Sequence, residues 1–116
     1  MALDESSRNP GYRLGRLFAG LERIQLEACP GSQTTIRKSY YGGASGTPGA
    51  VFPILIRMKN HLLAKLANKN RAVDFEKLLL EIIDGISDFP AQLSLDDQGR
   101  FAIGYYHQTL KFYQKP

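Results

Sequence analysis

Apolar residues in this chain recur every three or four positions, and each run opens at a capping residue and closes at a breaker. That spacing permits α-helices and little else. A half-buried strand would need alternation with period two, and no stretch sustains it. Asn9 followed by Pro10 reads as an N-cap and a first-turn proline. Leu14, Leu17, Phe18, Leu21, Ile24 and Ala28 then share a helical face, with Arg16 and Arg23 opposite, and Pro30 and Gly31 end the run. Ser32 can cap a short second helix reaching Tyr41, stopped by Gly42 and Gly43. Thr47 and Pro48 open a third, running to about Asn68, with the stripe Val51, Leu55, Met58, Leu62 and Leu66. Asn70 can cap a fourth, carrying Phe75, Leu78, Leu79, Ile82, Ile83 and Ile86 and broken between Asp88 and Pro90. Ser94 with Asp97 three residues on resembles a capping box; the fifth helix then carries Phe101, Ile103, Tyr106, Leu110 and Tyr113. The expected fold is an all-α bundle of four long helices and one short one. It forms a single domain over residues 1–116, with residues 1–8 flexible.

Two features exceed simple packing. Gly15, Gly20 and Gly104 lie inside helices, where each costs about 1 kcal/mol relative to Ala. Close approach of helices, within the chain or between subunits, would offset that. The fifth helix also carries aromatics on more than one face: Phe101, Tyr105 and Phe112 beside Tyr106 and Tyr113. Either the core is a ragged aromatic one, or some of these rings meet a partner. Phe101, Tyr105 and Phe112, with Arg16 and Arg23 of the first helix, are the candidate partner interface.

The net charge of +4 conceals an uneven distribution. Residues 28–73 hold Arg37, Lys38, Arg57, Lys59, Lys65, Lys69 and Arg71 and no acid. Such a block either faces an anion or is a solvated face offset by the acidic residues after position 73. No apolar run approaches the ~18–20 residues of a membrane span, and MALDESSRNPGY lacks the regions of a signal peptide. Cys29 stands alone, so no intrachain disulfide can form. A cytoplasmic protein is expected.

Catalytic patterns are missing from the sequence. GGASGTPG lacks the Gly-Lys-Ser/Thr of a P-loop and follows no strand. It leads into a helix N-terminus, which favours an anion, or it is a plain connector. His61 and His107 have no Cys, Asp or Glu at metal-ligand spacing. No nucleophile, base and stabiliser come together. A non-enzymatic chain without metal or cofactor is expected. The basic block is the better lead. Arg57, Asn60, His61, Ala64 and Asn68 share one face of the third helix with Lys65 at its edge, an arrangement suited to a phosphate backbone. Lys59 falls oddly amid the apolar stripe. Arg37 and Lys38 adjoin Tyr40 and Tyr41, a pairing that can grip a single strand by charge and stacking. The candidate nucleic-acid-binding residues are Arg37, Lys38, Tyr40, Arg57, His61, Lys65, Lys69 and Arg71.

The strings YRLGRLFAGLERIQ, TIRKSYYGGASGTPGAVFP, FEKLLLEIIDGI and FPAQLSLDDQGRFAIGYYHQ cover most of the chain from Tyr12 to Gln108. Together they resemble the C-terminal region of the large subunit of type I-C CRISPR Cascade. A chain of this region beginning at Met1 is similar to that complex's small subunit, which in the family is a separate product of an internal translation start. The chain departs from the family pattern at Gly43, Gly46 and Gly49, where alanines are commoner, and near Lys38, where an acid is frequent. The resemblance implies a helical, non-catalytic subunit that lies along a guide-RNA filament. Its partners would be the backbone filament, the large subunit, neighbouring copies of itself, and target DNA, chiefly the displaced non-target strand. Guide RNA would be contacted indirectly. Two other readings stay open: a free-standing helical DNA-binding regulator, and an adaptor that binds protein only.

Overall fold

Side-chain oxygens open four of the five helices. In the computed structural model, which describes residues 3–31, 35–86 and 88–114, the helices are α1 (Pro10–Ala28), α2 (Ile36–Gly46), α3 (Pro48–Lys65), α4 (Lys69–Asp84) and α5 (Leu95–Tyr113). Asn9 Oδ1 accepts from the Tyr12 amide, Thr35 Oγ1 from Lys38, Asn68 Oδ1 from Asn70 and Arg71, and Ser94 Oγ from Asp97. Each cap satisfies donors that the first turn leaves unpaired. Helix α3 starts differently. Pro48 needs no partner for a missing N–H, and the Thr47 hydroxyl donates backward to the Gly43 carbonyl at 3.2 Å.

The all-α expectation holds, with five helices and no strand among the described residues. Its boundaries change at the ends of α2 and α3 and at both ends of α4, which stops at Asp84 before Gly85 rather than between Asp88 and Pro90. Gly42 and Gly43 do not stop α2, which continues to Gly46, so the glycine-rich stretch is helix and the connector is Thr47 alone. Packing accounts for this. Ala44 is fully buried, and a methyl on Gly43 would stand 2.8 Å from Val51 Cγ2. Helix α3 ends at Lys65 because Leu66 turns extended and enters the core, 5% exposed. Asn68, not Asn70, then caps α4. The expected Ser32 cap lies outside the described residues.

Helix α1 is the axis of the fold. Every residue from Gly11 to Glu22 is buried, and α1 packs on all four other helices, most extensively on α5. Three glycines make that seam. A methyl on Gly11 or Gly15 would overlap the carbonyls of Asp97 or Phe101, and one on Gly104 would overlap that of Tyr12. Backbone therefore meets backbone, and α5 is rotated so that Phe101, Gly104 and Gln108 face inward. Tyr41 closes the aromatic cluster, with centroids 5.5, 5.4 and 5.3 Å from Phe18, Phe101 and Tyr105.

Candidate nucleic-acid interface

The seven cations of residues 28–73 divide by what the fold places opposite them. Lys59, at the apolar side of α3, reaches across to α4, where Nζ donates to Glu76 Oε1 at 3.2 Å. That contact explains its position in the hydrophobic stripe. Arg71 forms a two-pronged pair with Glu27, Nε to Oε1 at 2.9 Å and Nη2 to Oε2 at 2.8 Å, and lies 4.5 Å from the Phe75 ring. Arg23 holds the same carboxylate at 2.9 Å. Hydrogen bonds from Arg71, and then from Arg23, outweigh burial and hold the Glu27 carboxyl below its ordinary range. The fork of Arg71 is thus filled by a carboxylate from α1, while its side chain stays 40% exposed. Lys69 donates to the Ala64 carbonyl at 3.1 Å, covering the end of α3, although it stays on the surface.

Arg37, Lys38, Arg57 and Lys65 remain. All four are exposed, and none has an ion-pair partner among the described residues. Arg57, His61 and Lys65 stand at four-residue intervals along one exposed face of α3, about 6 Å apart along the axis. Arg37 and Lys38 occupy the first turn of α2 instead, and the Arg37 guanidinium sits 5.7 Å from the Tyr105 ring of α5. Tyr40 is half-buried against the core, and Tyr41 is enclosed by three rings. The tyrosines beside these cations are only partly open to solvent, because they also supply core area. Asn60 and Ala64 are exposed on α3, whereas Asn68 lies beyond its end as the cap of α4.

Side chains of α3 also border an open, shallow groove of about 400 Å³, lined by Ile54, Arg57, Met58, His61 and Leu62. The two histidines differ in setting. His107 Nδ1 is 2.9 Å from the Tyr12 hydroxyl, which also accepts from the Asp4 amide. His61 is exposed beside the groove. Among the described residues, no cluster of three His, Cys, Asp or Glu could hold a metal ion, and no helix is long and apolar enough to cross a membrane.

A family model described as CRISPR-associated protein (Cas_Csd1) matches residues 1–113. The chain belongs to that family. No curated protein matches it.

The expected partner surface of this Csd1-family chain lies mostly inside it. Phe101 is fully buried, and Arg16 is 2% exposed with Nε donating to Gln108 Oε1 at 3.0 Å. Burial, then the neighbouring Arg13, pulls the Arg16 guanidinium below its ordinary pKa. Tyr105 donates its hydroxyl to Glu22 at 2.6 Å. Phe112 packs edge-on to Phe75, and Arg23 is held by Glu27. The glycine seam turned these groups inward. The outward face of α5 carries Ile103, Tyr106, Leu110 and Tyr113, expected as its core stripe and in fact 36–65% exposed. Sequence reasoning also missed Arg13, whose guanidinium caps α4 by donating to the carbonyls of Glu81 (2.7 Å) and Ile82 (3.0 Å) and reaches Ser7 (2.8 Å). Gly85 leaves the space for it. A glycine just past a helix end was the available signal.

Proposed function

We propose that this Csd1-family chain is a non-catalytic small subunit of a type I-C RNA-guided surveillance complex, holding the displaced non-target DNA strand of an R-loop on the outer face of α3. The observation that carries this reading is the row Arg57, His61, Lys65: exposed, four residues apart, and unopposed by any carboxylate among the described residues. Arg57 and Lys65, cations two turns apart without ion-pair partners, suit phosphates of one strand and release counterions on binding. Membership of a CRISPR-associated family supports a role beside other Cas components. The remaining partners in this reading are the backbone filament, the large subunit, neighbouring copies and, indirectly, guide RNA, in the cytoplasm and with no cofactor.

Changing Arg37, Arg57 and Lys65 together to Ala tests it in the reconstituted complex. Exposed charge removal moves stability by less than ~0.5 kcal/mol, so helicity and melting should persist, as should assembly. R-loop formation should fall and its salt dependence should flatten. A triple variant that no longer joins the filament, while DNA capture by the rest continues, would make this face a docking surface and sink the DNA assignment. A protein-only adaptor is the second reading, favoured by the exposed apolar row on α5. Failure of the wild-type chain to bind single-stranded DNA at low salt would select it.

A further inference from the structure

Phosphate contact needs only cations, yet the outer face of α3 offers more. Two rows run side by side at intervals of four: Arg57, His61, Lys65 and Ile54, Met58, Leu62. They bound the groove of about 400 Å³, whose floor is Ile54, Met58 and Leu62 and whose rim holds Arg57 and His61. Ile54 and Met58 are half-buried and Leu62 is 7% exposed, so the floor is apolar and partly open, while both rim residues are exposed. Guanidinium and imidazole are planar groups on which unstacked bases settle, and one turn separates them here. No hydrogen bond or ion pair within the described residues employs either side chain.

We propose that this groove seats one unstacked base of single-stranded DNA, with Met58 and Ile54 beneath it, the planes of Arg57 and His61 against it, and an adjoining phosphate at Lys65. The occupant follows from the combination. An apolar floor beside the cations Arg57 and Lys65 matches a strand that is apolar at its base faces and anionic along its backbone. Duplex DNA matches poorly, since its base faces are already stacked. The seat is indifferent to sequence because every base has a π-face. This inference rests on the proposed DNA-binding role and deepens it, from a charged track to a site that distinguishes single strand from duplex.

The test uses the full chain and three labelled probes of equal length: oligo-dT, the same oligomer with abasic sites at alternate positions, and a duplex. Oligo-dT and its abasic counterpart carry the same phosphates, so charge alone cannot separate them. The wild type should bind oligo-dT about fivefold or more tightly than the abasic probe, and tighter than duplex. H61A should reduce oligo-dT affinity toward the abasic value and leave the abasic probe unaffected, and H61F should restore it. His61 is exposed, so all three proteins should melt alike. Equal binding of oligo-dT and the abasic probe, with H61A weakening neither, would remove the base seat while the DNA-binding role stood. A wild type that binds no probe at low salt would remove both.

Discussion

Basic side chains recur at helical spacing in two regions, Arg13 and Arg16 in the α1 seam and Arg57 and Lys65 on the outer face of α3, and the fold treats them in opposite ways. In α1, Arg13 and Arg16 are 7% and 2% exposed, and acceptors on α4 and α5 meet them. On α3, Arg57 stands exposed and meets no ion-pair partner among the described residues. A buried guanidinium without partners would be strongly destabilising, so the helices around α1 are arranged to supply carbonyls and an amide. An exposed one is solvated by water and needs no such partner. The spacing of cations therefore does not separate a binding face from an internal brace. The groups lying across from them do.

The sharpest way to break that contrast is at the seam itself. In Gly15→Ala the new methyl meets the backbone of Phe101 and Tyr105, which cannot yield as a side-chain tip can. The loss of stability should reach or pass the ~3 kcal/mol upper end of ordinary overpacking, read from urea unfolding. A loss under about 1 kcal/mol would mean that the seam has slack and the rotation of α5 is not set by it.

Tyr105→Phe should come next. It removes the donor to Glu22, a hydrogen bond to a charged group worth about 1.5–3 kcal/mol. The pH dependence sharpens the assignment. Burial first, then Glu22, raises the Tyr105 phenol above its ordinary value of 10.0. The contribution is therefore complete below pH 10 and is lost as pH climbs through the raised value, since the unfolded chain gives up the proton first. Unfolding series from about pH 9 to 11 should show the wild type declining more steeply than the phenylalanine variant. Parallel declines would place the phenol in contact with water.

Gly42→Ala carries the smallest change and the opposite sign. Gly42 lies in α2, exposed, with no atom within 4 Å of an added methyl. Helix propensity alone should stabilise the protein by about 0.5–1 kcal/mol, seen as a raised urea midpoint. A destabilised variant would argue that the glycine stretch is needed as a hinge rather than as helix.

The two outcomes on α5 show how far reading went. Phe101, Ile103, Tyr106, Leu110 and Tyr113 form a plausible stripe by spacing, but only Phe101 of that set is buried. Phe101, Gly104, Tyr105, Gln108 and Phe112 form the inner face. Gly104 was the clue, since a helix approaches another most closely where the side chain is smallest. Counting apolar residues gave weight to neither glycine nor glutamine. On α3, by contrast, Arg57, Asn60, His61 and Ala64 do share an exposed face with Lys65, while Asn68 falls beyond the helix as the cap of α4. The ion pair of Arg71 was not legible, because its partner Glu27 lies 44 residues away in the chain.

The sequence by itself determined the helices and their number, because caps, breakers and apolar periodicity act within a few residues of one another. It also determined that residues 28–73 carry cations without acids, a property no folding can alter. Tertiary structure alone decided which stripe of α5 faces inward, which arginines brace the interior, and that Tyr40 and Tyr41 serve the core. Those outcomes depend on what a side chain meets across the bundle: the carbonyl of Phe101 opposite Gly15, the end of α4 opposite Arg13, the carboxylate of Glu27 opposite Arg71. Contacts between residues so far apart in the chain come into being only when the helices pack.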